Sequence, residues 1–326
     1  MTANDRKSDE GGYVHSKATQ GVAATVALAL AVVVAACGSS SSSSKTTSTP
    51  SGKPGTGKPA VTIGDKNFTE QFILGQLYAQ ALRAKGFTVN VKNDIGSSEL
   101  IDKALTSGQI NGYPEYSGIV LTAIAHNNKS YASPQATYDA VKKFENGRGF
   151  EVLTMTPFND VDALAVKPAY AKQHNLTQVP QLKGVGRFTL GAPPEFKTRF
   201  TGLVGMKQVY GISNVNFKPL AIGLQYKALD AGQIQAADVF TTDGQLQRGS
   251  YTILKDPKNI FGFQNVVPIF SKKTLAAEGP AFTQVINAVS AKLTIPAMQQ
   301  MNAAVDLDKN NPAEVAKKFL QANNLL

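Results

Sequence analysis

The sequence predicts an α/β protein of two similar lobes, with a cleft between them and a hinge of two crossings. Three observations predict it. Strand and helix patterns alternate from Val61 onward. One short phrase is written twice. Two apolar stretches stand where the chain would pass between lobes. The repeated phrase is ALTSGQI at Ala104 and ALDAGQI at Ala228. Each reads as a helix stopped by glycine and feeding a strand, because glycine readily takes the left-handed conformation that closes a helix.

The elements follow in order. VTIG (Val61–Gly64) is a short strand. After it, Ile73, Leu74, Leu77, Ala81 and Ala84 recur at helical spacing, and Gly86 stops the helix. TVNVKN alternates as a strand. GSSELIDKALTSG is a second helix, with Ser97 as its cap and Glu99 near its positive end. QINGY is a short strand, and PEYSGIVLTAIAH opens a third helix with Glu115 in its first turn. In the second half RFTLGAP is a strand, PEFKTRFTGLVGMKQVYG one helix to Gly211, and VNFKPL a strand. AIGLQYKALDAGQ is then a helix to Gly232, and IQAADVFTT a strand. This order implies a mostly parallel sheet covered by helices in each lobe.

TPFNDVDALAV (Thr156 to Val166) and FQNVVPIFS (Phe263 to Ser271) are the expected crossings. Lobe one is then residues 61–157 plus 267–326, with a helical tail from Lys272, and lobe two is residues 158–266. In parallel α/β sheets, ligands sit beyond the carboxyl ends of strands. The candidate ends are GDKN, YPEY, GAPPEF and FTTDG. Two crossings make a hinge that can bend.

The first 60 residues read differently. Gly21 to Ala36 is an uncharged apolar run of sixteen residues, short for a bilayer span and suited to a signal peptide. It ends at VAAC. Small residues before Cys37 resemble a bacterial lipoprotein signal, so residues 1–36 are read as a signal peptide and Cys37 as the lipidated residue. Residues 37–60, rich in Ser, Pro and Gly, are read as a flexible tether. GKPGTGK within it mimics a phosphate-binding loop, but Pro59 stands where Ser or Thr should hold magnesium, and no strand precedes it.

Composition narrows the function further. Cys37 is the only cysteine, so disulfides are excluded. His15, His126 and His174 are far apart, so no histidine metal site is expected. The net charge of +10 belongs to residues beyond 36, where the lysines are scattered and form no nucleic-acid stripe. There is no G-x-S-x-G, no candidate triad and no metal cluster. Asp160 and Asp162, two apart on an extended segment, share a face in a way that suits binding. No catalytic residue and no cofactor are expected.

The stretches VTIGDKNFTEQFILGQLYAQAL, ALTSGQINGYPEYSG, GAPPEFKTRFTGLVGMKQVYG and GLQYKALDAGQIQAADVFTTDG closely resemble the binding proteins of osmoprotectant ABC importers. These are the glycine betaine/choline/carnitine family, ProX- or OpuAC-like. The resemblance covers nearly all of 61–326 in order. It implies a two-lobed, type II-like periplasmic-binding-protein fold that closes on a small molecule. It also implies delivery to a separate permease and ATPase at the outer face of the cell membrane. The binding protein is expected to be a monomer with no nucleic-acid partner.

The site implied by the resemblance is an aromatic cage, since ring faces attract a quaternary ammonium that offers no hydrogen-bond donor. Tyr116 and Tyr226 match cage positions. Arg199 matches the holder of a ligand carboxylate, and Lys66 and Gln71 match contacts after the first strand. Thr242 and Asp243 lie on the loop after the repeated strand, and Ser97 and Ser98 cap a helix toward the cleft. Tyr113 lines the pocket or packs beneath it. The chain departs from the family pattern where Asp162 replaces a tyrosine and Ile119 a threonine. A cage wall of carboxylate, from Asp160 or Asp162, would suit choline or another ligand without its own carboxylate; alternatively the protein binds a different small ligand, with a sensing and not a transport role.

Overall fold

The computed structural model describes residues 52–248 and 251–326. The apolar run, Cys37 and most of the serine-rich stretch lie outside the described residues. The described part begins earlier than a tether to residue 60 would allow. Gly55 is buried, its N–H donates to the Lys85 carbonyl, and Lys58 Nζ reaches the Ala277 carbonyl. A Cβ at Gly55 would collide with Phe87, so only glycine lets the chain lie this close.

Among the described residues, ten strands form two five-stranded sheets. The first contains β1 (Val61–Gly64), β2 (Val89–Lys92), β3 (Gly112–Tyr116), β4 (Phe150–Val152) and β10 (Val266–Ser271), in the order β2-β1-β3-β10-β4. The second contains β5 (Asp162–Val166), β6 (Phe188–Ala192), β7 (Val215–Pro219), β8 (Ala236–Phe240) and β9 (Thr252–Leu254), in the order β7-β6-β8-β5-β9. β1 pairs in parallel with β2 and β3, and β6 with β7 and β8. The crossing strands enter antiparallel: β10 between β3 and β4, β5 between β8 and β9. Each sheet is therefore mixed where the alternation alone implied a mostly parallel one. The reason is topological: a chain entering from the other lobe arrives at the end where the parallel strands finish.

The repeated phrase has a physical role. Gly108 and Gly232 take left-handed φ values of 75° and 70°. Behind them, Gln109 N–H and Gln233 N–H return to the carbonyls of Ala104 and Ala228. The next residues repeat too. Asn111 brackets Thr62 with its backbone N–H and side-chain oxygen, and Gln235 brackets Thr189 in the same way. The phrase fixes where a helix ends and how its strand joins the sheet.

Two elements differ from expectation. YPEY is the end of β3 and not the start of a helix, because Tyr116 and Glu115 pair with Val266 and Val267 of β10. The stretch from Pro194 to Tyr210 is broken into Pro194–Lys197, Phe200–Val204 and Gly205–Tyr210, with Thr201 and Gly202 non-helical. Gly202 passes so close to the Phe196 carbonyl that a Cβ would clash.

The first-lobe core is built on α1 (Thr69–Ala84), which packs against the helices Pro280–Ser290 and Pro312–Ala322. Ile73, Leu74, Leu77 and Leu82 of α1 are fully buried, each stabilising the fold by about 1.5–3 kcal/mol. This anchors the amino end of α1, with Glu70 and Gln71, at the lobe junction. A second helix, α2 (Ser98–Thr106), presents its amino end to the same junction.

Candidate functional site

A cleft opens where the carboxyl ends of β1, β3, β6 and β8 meet the start of β5. Its lining includes Lys66, Phe68, Ser97, Ser98, Tyr116 and Ile119 from lobe one, and Asp160 on the crossing. From lobe two come Asp162, Glu195, Arg199, Asp238 and Phe240. The burial of neighbouring polar groups shows how little water enters: Lys66, Asp160 and Asp238 are each under 5% exposed.

Three rings form a ladder across the lobes. Phe68 stacks on Tyr116 with centroids 6.1 Å apart, and on Phe240 at 6.2 Å with only 8° between the planes. Phe68 comes from the loop after β1, Tyr116 from the end of β3, and Phe240 from the end of β8. Lys66 Nζ sits 4.3 Å from the centre of the Tyr116 ring and 5.5 Å from that of Phe68. The ladder thus already holds one ammonium group, as aromatic faces do. Lys66 also donates to Glu115 Oε1 at 2.5 Å and to Ser98 Oγ at 3.1 Å. Burial pulls its pKa down, and the Glu115 carboxylate opposes that. A lysine this buried needs such a partner.

Behind the ladder, Thr242 joins two carboxyl groups. Its Oγ1 lies 2.6 Å from Glu70 Oε2 and 2.7 Å from Asp160 Oδ1. One hydroxyl has one proton, so it donates to one carboxylate and accepts from the other only if that one is protonated. Burial raises the pKa of both acids, which supplies that proton. Glu70 also accepts from Tyr116 Oη and Asn302 Nδ2. Glu70 thereby ties α1 to the loop after β8.

Asp162 and Asp238 lie on one face of the second sheet. Asp162 stands opposite Phe240 in the register, and Asp238 is two residues before Phe240, so all three point the same way. Asp162 and Asp238 are diagonal neighbours on that face of the β5–β8 pair, and burial raises Asp162 to about 6 and Asp238 well above its ordinary range. Neither oxygen of Asp238 meets a donor from any other described group.

Arg199 reaches across the cleft. Its Nε and Nη2 donate to the two carboxylate oxygens of Glu99 on α2, at 3.1 and 2.9 Å. Burial alone would raise Glu99, but the guanidinium hydrogen bonds and charge outweigh it and hold that carboxyl at about 2.

The expected site residues are only partly gathered here. Lys66, Ser97, Tyr116, Asp160, Asp162 and Arg199 line the cleft. Ser97 does so without capping α2: its hydroxyl donates to Glu99 Oε2. Tyr226 is not at the cleft. It is buried in the second-lobe core against Tyr251 and donates to Asp243 Oδ2. Its helix, Gln225–Asp230, turns that side chain onto the back of the sheet. Tyr113 is buried in a first-lobe cluster, since alternation along β3 points it away from the Tyr116 side. Gln71 lies behind the loop, its Oε1 accepting from the Lys66 N–H. Thr242 and Asp243 line an adjoining cavity with Asn302 and Asp306. Asp243 accepts from the Phe240 N–H and Tyr226 Oη.

Sequence reasoning missed Phe68, Phe240, Asp238 and the role of Glu115. A signal existed for two of them: Asp238 and Phe240 are spaced by two at the end of the repeated strand, so they share a face. Glu115, a helix-start residue by its sequence position, is instead the counter-ion of Lys66 at the end of β3.

Fold and cleft together define a two-lobed ligand-binding protein in which both lobes and both crossings supply the walls. Residues 59–322 match the OpuAC family, the substrate binding domain of ABC-type glycine betaine transport systems. The chain belongs to this family, whose members are binding components of ABC importers and work outside the cytoplasm. It is 32% identical over 276 residues to the glycine-betaine-binding protein of Pseudomonas aeruginosa, covering 81% of this chain and 88% of that one. It is 27% identical to the glycine betaine-binding protein YehZ of Escherichia coli, covering 80% and 90%. A solved glycine betaine/carnitine/choline ABC transporter structure superposes with a TM-score of 0.66 at 24% identity, covering 81% and 99%, which speaks for the fold. Among the described residues no helix is long and apolar enough to cross a membrane.

Proposed function

We propose that this protein captures a quaternary ammonium compatible solute, such as choline or glycine betaine, in the cleft and delivers it to an ABC permease and its ATPase. The observation that carries this is the ladder of Tyr116, Phe68 and Phe240 between the lobes. Such a wall attracts a cation without hydrogen-bond donors, by roughly 0.5–2 kcal/mol per ring. Similarity to the glycine-betaine-binding proteins supports the same class. Binding is read as a hinge closure in which the ligand bridges the lobes and favours the closed state. The protein is read as a monomer that binds and does not catalyse. The lipoprotein signal and Cys37 are read as its anchor; labelling with a fatty acid should be lost in Cys37→Ala.

The test is calorimetric titration of the protein with choline, carnitine and glycine betaine. Saturable binding of at least one, with compaction in small-angle scattering, is expected. Silence with all three overturns the substrate class.

A further inference from the structure

We propose that Asp162 and Asp238 act as one proton-sharing carboxyl pair that selects a net cation over a zwitterion and gives up its proton when that cation binds. This rests on the function proposed above and deepens it.

The charges that line the cleft are unequally satisfied. Two cations line it, and both are engaged. Lys66 is bonded to Glu115, and Arg199 is held by both oxygens of Glu99. The amino end of α2 is the other natural seat for a ligand carboxylate. That end already carries a negative charge, because the Glu99 carboxylate stands in the first turn and accepts from Ser97 Oγ. A zwitterion's carboxylate therefore meets cations that each already face a carboxylate of the protein.

A cation finds the opposite. Asp160, Asp162, Glu195 and Asp238 all face the cleft. Asp160 is bound up with Thr242. Asp238 is 1% exposed, and with both acids ionised its two oxygens have no donor. A buried carboxylate in that state is costly unless it is protonated or paired with a cation. One proton shared with Asp162, its diagonal neighbour on the same sheet face, satisfies it when no cation is bound. Phe240 projects from the same face, so a methylated ammonium resting on that ring would lie against the pair. A positive charge there favours the ionised form, and the proton leaves to solvent.

The surrounding charges set the direction. Arg199 lowers Asp162, whereas Glu195 raises both acids and Asp243 raises Asp238. Lys66 stands across the cleft but is neutralised by Glu115. Proton and ligand compete for one site, so cation affinity should rise with pH.

The experiment is calorimetry on the whole protein with choline and with glycine betaine, in buffers of different ionisation enthalpy, from about pH 6 to about pH 8. The expected result is choline bound at least about tenfold more tightly than betaine, with a proton released per choline approaching about one near the acid end. Asp238→Asn should weaken choline by about tenfold or more and abolish the release. Asp162→Asn should do the same, which guards against a folding defect peculiar to one variant. Wild-type proton release needs no variant at all. Betaine bound more tightly than choline, or choline bound with no proton released, overturns the pair and leaves the proposed function standing. Binding of neither overturns both.

Discussion

Arg199 of the second lobe and Glu99 of the first are joined by a two-pronged ion pair that spans the cleft, at 3.1 and 2.9 Å. Both prongs of the fork are used, the geometry in which arginine binds a carboxylate best. Glu99 is 41% exposed along its side chain, so solvent screening limits the pair to about 1 kcal/mol. Glu99→Gln should therefore shift the ligand-free protein toward an open form. The measurement is the radius of gyration by small-angle scattering. An unchanged radius would remove the pair as a latch.

The buried ion pair of Lys66 and Glu115 should behave differently. Glu115→Gln strands an ammonium that is 5% exposed, costing about 3–5 kcal/mol of stability. Lys66→Met strands the Glu115 carboxylate instead. The double variant should lose less than either single one, because no charge is left without a partner. Denaturant unfolding of the three proteins checks this; additive losses would contradict the coupling.

The ring ladder makes a contrast that sequence alone would not have drawn. Phe240→Ala and Tyr116→Ala should each weaken a quaternary ammonium by about tenfold. Tyr226→Phe should leave its affinity within about twofold, since it removes only a hydroxyl that donates to Asp243 outside the cleft, while costing about 1–3 kcal/mol of stability. A large affinity loss in Tyr226→Phe would return that tyrosine to the site.

Stability should fall as pH rises toward neutrality. Burial raises Asp162 to about 6 and Asp65, Glu145 and Asp243 to about 7. Each keeps its proton longer when folded than when unfolded, where carboxyls titrate near about 4. Their contribution is fully present below that value and is lost as pH rises through about 6 to 7. Glu99 runs the other way, but its contribution is lost only as pH falls toward about 2. Melting temperature of the ligand-free protein should thus drop between about pH 5 and about pH 8. A rising melting temperature over that range would contradict these burials.

The alternation of elements and the repeated phrase made the two-lobed α/β architecture legible, because strand and helix periods are local properties of the chain. Tyr116, Lys66, Asp160, Asp162 and Arg199 were legible as candidates because they stand at strand ends or beside them. Asp238 and Phe240 were harder to see. Their shared face matters only once β5 is laid antiparallel against β8, and that pairing joins residues from opposite sides of a crossing.

Where the helices stop is written locally, since Gly108 and Gly232 carry that instruction in their own backbone freedom. The formation of two similar lobes, with no cysteine pair to staple them, is equally legible in the chain. That YPEY is a strand, that Tyr226 faces a core, and that both cations in the cleft are already paired came only with the folded arrangement. The difference is one of range. A helix stop depends on a few neighbouring residues, whereas the charge state of a cleft depends on which distant carboxylates burial brings within reach.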